Sequence, residues 1–233
     1  MINYLATQKN WQNAFSDTIT SFAELAQALD LPIDSFDSQV GQFPLKVPRR
    51  FVQKMAKGDI HDPLLKQVLP TFLETVQVTG FVTDPLDEQH ANPVKGIIHK
   101  YASRVLIPVT GACVVNCRYC FRQHFDYHEN LPTQNDWQAI SAYITAHPAV
   151  NEVILSGGDP LSLSNRRLLE IFTTLEALPQ VQTIRIHTRV PVMIPERLDE
   201  PLLARFANSR CHIVMVIHAN HPNEIDQETQ IFL

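Results

Sequence analysis

The spacing of apolar positions changes once along the chain, near residue 104. Upstream, Trp11, Phe15, Ile19, Phe22, Leu25 and Leu29 recur at steps of three or four. That period predicts one amphipathic helix, stopping near Asp30-Leu31-Pro32 and packing its stripe on the body of the protein. Residues 47–58 predict a short helix, with Pro48 in its first turn and Gly58 just past its end. Arg49 and Arg50 read as a solvated face of that helix. A further helix is expected over residues 62–69. Residues 80–100 are rich in turn-forming residues and have no clear period, yet hold too many apolar residues for disorder. They predict an ordered linker crossing the sheet.

Downstream of residue 104, short and nearly continuous apolar runs alternate with helical patterns. Strands are expected over residues 104–109, 152–156, 183–188 and 212–218. Helices are expected over 133–147, 164–178 and 196–207, and again after Pro222. This alternation indicates a buried parallel sheet with right-handed crossovers, curling toward a barrel. The expected class is α/β, a partial parallel (β/α) barrel with four βα units and a helical N-terminal extension. Residues 1–95 form the extension and linker in this reading; residues 96–233 form the barrel.

Composition narrows the function classes. Of 233 residues, 45% are apolar, ample for a core, and 18% are charged. The net charge is −5 and the basic residues form no cluster, so a nucleic-acid partner has little support. No run of eighteen apolar residues suggests a membrane span, and residues 1–5 lack the features of a signal peptide. Free, clustered cysteines then point to a reducing cytoplasm.

The chemistry concentrates just after the first strand. Cys113, Cys117 and Cys120 stand at spacing C-x3-C-x2-C on a loop at the strand's carboxyl end. Three thiolates so close in sequence converge on one soft metal centre. A structural zinc site takes four ligands, usually as two close pairs, and this loop offers three. Cys211, at the start of an apolar strand, reads as core filler. In a cube of four irons held by three cysteines, one iron is left free to bind a small molecule.

Every other notable motif also falls at a strand end. Gly157-Gly158-Asp159 follows the second strand, where two glycines let a ligand approach the backbone and a carboxylate suits an ammonium; a plain turn would use the same residues. His187 and His218 close the third and fourth strands, positions that satisfied rim histidines also occupy. Arg122, two residues past the last cysteine, carries a planar fork suited to a carboxylate, and Arg118 offsets cluster charge. Lys100 and Arg104, at the entry to the first strand, read as solvated by themselves.

The run HKYASRVLIPVTGACVVNCRYCFRQHF, followed by SGGDPL, RIHTRVP and HANHPNEI, resembles the radical S-adenosylmethionine (SAM) lysine 2,3-aminomutase family. Within it the chain is most similar to the bacterial branch that makes β-lysine for modification of elongation factor P. The resemblance runs from about residue 47 to the last. It implies a [4Fe-4S] cluster on Cys113, Cys117 and Cys120, with SAM at the open iron. It also implies contacts to SAM from Gly157, Gly158 and Asp159, with His187 and His218 nearby and His218 beside the ribose. Arg122 would bind the substrate's carboxylate, and Lys100 and Arg104 the phosphate of pyridoxal 5′-phosphate (PLP).

The implied activity is that of an isomerase: radical-driven transfer of the amino group of L-lysine to its β-carbon. The implied partners are L-lysine and an electron donor such as flavodoxin or ferredoxin, with a homo-oligomer left open. One departure stands out. The family holds PLP on a lysine late in the chain, whereas the lysines here are Lys9, Lys46, Lys54, Lys57, Lys66, Lys95 and Lys100. With four strand–helix units where the family has six, the sequence reads as truncated and inactive alone. The alternatives are a radical SAM enzyme with another substrate and a non-catalytic iron–sulfur or zinc protein.

Overall fold

The computed structural model describes residues 11–37 and 39–233. Residues 1–5, read above for a leader, lie outside them.

The predicted first helix is two helices. α1 (Trp11–Ser16) and α2 (Phe22–Ala28) flank a short strand, β1 (Thr18–Ile19), which pairs antiparallel with β2 (Val47–Pro48). The β-branched pair Thr18-Ile19 suits the extended conformation, and Arg49 N–H closes on the Asp17 carbonyl at 3.1 Å. Burial of Trp11, Ile19, Leu25 and Leu29 survives the break. α3 (Arg49–Val52) follows β2 directly, and Gly58 takes φ +71°, the left-handed conformation of a chain reversal. The helix expected at 62–69 is only a 3-10 turn, Leu65–Gln67.

Arg49 lies on the solvated face expected, but Arg50 does not. Arg49 pairs with Asp17 and Glu24. Arg50, largely buried, reaches Glu196 at 3.1 Å and Glu228 at 3.0 Å, across to the C-terminal half.

The linker ends in a strand that periodicity did not reveal. β3 (Ile98–Tyr101) runs antiparallel to β4 (Arg104–Thr110) at one edge of a five-stranded sheet. The order is β3-β4-β5-β6-β7, with β5 (Glu152–Gly157), β6 (Thr183–Thr188) and β7 (His212–Ile217) parallel to β4 and in sequence order. The connecting helices are α4 (Tyr127–Asn130) and α5 (Asp136–Ala146), then α6 (Asn165–Glu176), then α7 (Val190–Met193) and α8 (Glu200–Ala207). α9 (Gln227–Phe232) comes last. The helix expected from residue 196 is delayed because Asp199 accepts from Leu202 N–H as an N-cap, with Pro201 in the first turn.

Alternation along β4, β5 and β6 separates two faces. Val105, Ile107, Val153, Leu155, Ile184 and Ile186 are buried in one core with Ile140, Ile144, Leu168 and Phe172 of the helices. That core is shared with Trp11, Ile19, Leu25, Phe51 and Leu65 of the N-terminal segment. Cys211 is buried in it as core filler, its thiol donating to the Val181 carbonyl at 3.4 Å. The opposite face carries Arg104, Leu106, Glu152, Ile154, Arg185 and His187, all at least partly exposed.

Candidate functional site

The cysteine loop leaves β4 at Thr110 and is anchored by Val114 and Val115, both buried. The N-terminal segment then ties down its backbone. Asn116 N–H donates to the Lys46 carbonyl at 2.9 Å and Arg118 N–H to the Gln67 carbonyl at 2.8 Å. Lys46 Nζ in turn donates to the Cys113 carbonyl at 2.6 Å. Arg118 spends its fork on Glu74 and on the Phe43 carbonyl, so it pins the loop to the segment before the sheet.

The three thiols lie partly buried and feel one another. Burial pushes the Cys113 thiol up, as do the Cys117 and Cys120 charges, and burial likewise raises Cys120. Among the described residues no group of three or more His, Cys, Asp or Glu closes to the spacing of a single metal ion. A four-iron cube takes thiolates set farther apart than one ion does. An all-sulfur donor set with a guanidinium 2.9 Å from the Cys117 Sγ fits an iron–sulfur cluster.

Gly157 and Gly158 are the surface on which this loop rests. Gly157 has φ +107°, and a Cβ there would stand 2.6 Å from the Thr110 carbonyl oxygen. At Gly158 a Cβ would stand 2.4 Å from the Ala112 oxygen. The contact is made by hydrogen bonds from Gly158 N–H to Thr110 O at 2.6 Å and Asp159 N–H to Ala112 O at 2.9 Å.

Asp159 is buried and fully occupied. Its Oδ1 accepts from Leu161 N–H at 3.0 Å and Thr188 Oγ1 at 2.6 Å; its Oδ2 accepts from Arg189 N–H at 2.7 Å and Val190 N–H at 3.2 Å. The carboxylate therefore fixes the β6–α7 turn, and is not left free to meet an ammonium as the sequence suggested.

Arg122 is likewise occupied. Its Nε and Nη2 grip both oxygens of Glu88 at 2.8 and 2.6 Å, and Nη1 donates to Ser156 Oγ at 3.0 Å. Ser156 shares the parity of Glu152 and Ile154, so Arg122 lies over the open face of the sheet. His187 and His218 meet there edge to face, with ring centroids 6.0 Å apart. Burial, reinforced by the nearby His218, Arg185 and Arg122, lowers the His187 pKa to about 4; His218 is lowered too, chiefly by burial. The His187 Nε2 is buried without a hydrogen-bond partner.

The strand entry forms a separate group. Arg185 pairs with Glu152 through two contacts of 3.2 and 3.1 Å, and Arg104 stands 3.8 Å from the same carboxylate. Lys100 is exposed on β3 and is not drawn into this set. Arg185 was missed by sequence reading, although its place two residues before His187 on one strand gives both the same face. Glu88 was missed because nothing in the linker marks a residue whose partner is 34 positions away.

This assembly of four strand ends around a cysteine loop agrees with comparison to known proteins. The model of the radical SAM superfamily matches residues 107–225. L-lysine 2,3-aminomutase of Haemophilus influenzae is 46% identical over 223 residues, covering 94% of this chain and 66% of that protein. The Escherichia coli protein of that name is 44% identical over 225 residues, covering 95% and 66%. The one from Buchnera aphidicola is 37% identical over 227, covering 96% and 67%. The chain belongs to the radical SAM superfamily and, within it, to the lysine 2,3-aminomutase family. Membership in the superfamily implies a [4Fe-4S] cluster and SAM. The chain spans about two thirds of the length of these relatives. Among the described residues no helix is long and apolar enough to cross a membrane.

Proposed function

We propose that this chain is the cluster- and SAM-binding part of an enzyme that converts L-lysine to β-lysine, in the branch serving elongation factor P. The observation that carries the reading is the convergence of the cysteine loop, the Gly157-Gly158 cradle, His187 and His218 on one end of the sheet. Names and identities of the relatives above support the substrate.

Cys113, Cys117 and Cys120 hold the cluster. When bound, the cluster and SAM supply a carbon-centred radical that can take a hydrogen from an unactivated carbon. The protein's own part is placement. Gly157 and Gly158 bring bare backbone against the loop, where a side chain would collide. His187 and His218, both neutral at pH 7, line the open face without adding charge. Arg122 holds the linker over the open face, because Glu88 takes the fork that a substrate carboxylate would need. An electron donor such as flavodoxin or ferredoxin completes the reading, as does a cytoplasmic setting for the thiols.

PLP is a poorer fit to these residues. Arg104 and Arg185 offer cations for a phosphate, but both are already shared with Glu152.

The test is anaerobic reconstitution with iron and sulfide, followed by electron paramagnetic resonance of the reduced protein with and without SAM. The expected result is a four-iron signal that changes shape with SAM. A cluster indifferent to SAM, or a protein holding only zinc, would sink the proposal.

A further inference from the structure

Among the described residues, Arg189 is the cation whose side chain hydrogen-bonds a thiol of the cysteine loop. It follows β6, and its backbone is fixed because both its own N–H and that of Val190 donate to Asp159 Oδ2. The side chain is 5% exposed. Nη1 donates to Cys117 Sγ at 2.9 Å, while Nη2 donates to Gln67 Oε1 and, at 3.2 Å, to Glu224 Oε2. Glu224 is wholly buried, and its Oε1 accepts from Gln67 Nε2 at 2.8 Å, Asn220 N–H at 2.9 Å and His221 N–H at 3.0 Å. The guanidinium is also flanked by the rings of Phe51 and Tyr119, at 5.4 and 5.3 Å from its carbon to each centroid.

This is an expensive arrangement if its purpose is packing alone. A buried cation is costly to desolvate, and a neutral side chain of similar length would fill the space between two rings. What a neutral chain cannot do is donate a charged N–H to sulfur.

The geometry points to Arg189 as a positioning residue that sets the reduction potential of the cluster through Cys117. This rests on the reading of the three thiols as cluster ligands. When the cluster takes one electron from an external reductant, the iron–sulfur–thiolate unit gains one negative charge and no bond is made or broken. A guanidinium donating to a ligand sulfur stabilises that added charge, so the reduced state becomes more accessible. Little water reaches Arg189 to screen the effect. Glu224 and Gln67 hold the fork in place, and Glu224 tempers the field by offsetting part of the charge.

The experiment is a redox titration of the reconstituted protein with dithionite, monitored by electron paramagnetic resonance, for the wild type, Arg189→Met and Arg189→Lys. In the methionine variant the reduced-to-oxidised ratio at a fixed potential should fall at least tenfold, a shift of about 59 mV to more negative values for a one-electron couple. The lysine variant keeps a charge but loses the fork, and should shift less in the same direction. If the methionine variant takes up no cluster, the lysine variant decides the matter alone. Equal potentials in wild type and variants that all carry a four-iron cluster overturn the role of Arg189 and leave the site reading intact. Failure of the wild type to take up a four-iron cluster overturns the site reading, and this inference with it.

Discussion

Arg122 and Glu88 form a two-point ion pair, at 2.8 and 2.6 Å, with both side chains almost completely withdrawn from water. It joins the cysteine loop to the linker that precedes the sheet, a segment without a clear sequence period.

Removing one partner of that pair leaves the other charge buried and uncompensated. Glu88→Ala is expected to cost about 3–5 kcal/mol of stability. Arg122→Met with Glu88→Met together should cost less than the sum of the singles. Urea unfolding of Glu88→Ala, the two methionine singles and the methionine double checks both statements, and additivity would show that the pair is not coupled.

Gly158→Ala puts a methyl group where the Ala112 carbonyl oxygen already stands. The loop must back away from β5, at a cost of about 1–3 kcal/mol. Iron content after reconstitution should fall along with the thermal midpoint. An alanine variant that loads iron as the wild type does would show that the loop tolerates the displacement.

Asp159→Asn keeps the shape but sets an amide N–H₂ against donors. Two of the four donors now facing the carboxylate are Arg189 N–H and Val190 N–H. A loss of about 1–3 kcal/mol is expected, with faster hydrogen exchange at residues 188–190. Unchanged exchange there would mean that the carboxylate does not organise the turn.

His187 should make stability depend on pH. Its folded pKa of about 4 lies below the ordinary 6.5, so the folded protein resists a proton that the unfolded chain accepts. Stability is fully present above pH 6.5, falls as pH drops toward 4, and levels off below. His187→Gln should flatten that slope in denaturation series at pH 7.5, 6 and 5. His218, lowered in the same direction, accounts for a remainder. A slope unaltered by the substitution would exclude His187 as its source.

The four parallel strands were legible because each is a short, largely apolar or alternating run with a turn motif at its end. The first helix was misread because Trp11, Ile19, Leu25 and Leu29 do share burial, and burial is what periodicity detects. It cannot show that Ile19 gets there on a strand paired with Val47. The thiols were visible by their spacing, and the two histidines and the Gly157-Gly158 turn by their common place at strand ends, although rim histidines and a plain turn would use the same residues. Glu88, Arg185, Gln67 and Glu224 were not, because their significance lies in partners far off in sequence. Asp159 and Arg122 were visible as charges, but their commitment to Thr188, Arg189, Val190 and Glu88 was not.

The ties from Lys46, Gln67, Phe43 and Glu74 to residues 113–118 bear on how the molecule can be divided. A fragment beginning at residue 107, where the superfamily match starts, would keep all three thiols and the strands β5, β6 and β7, but only the last four residues of β4. It would also lose every one of those restraints and the β3 edge. Transplanting the motif as a cassette therefore fails on mechanical grounds: the smallest portable unit reaches back at least to Phe43, well upstream of the residues by which the motif is recognised.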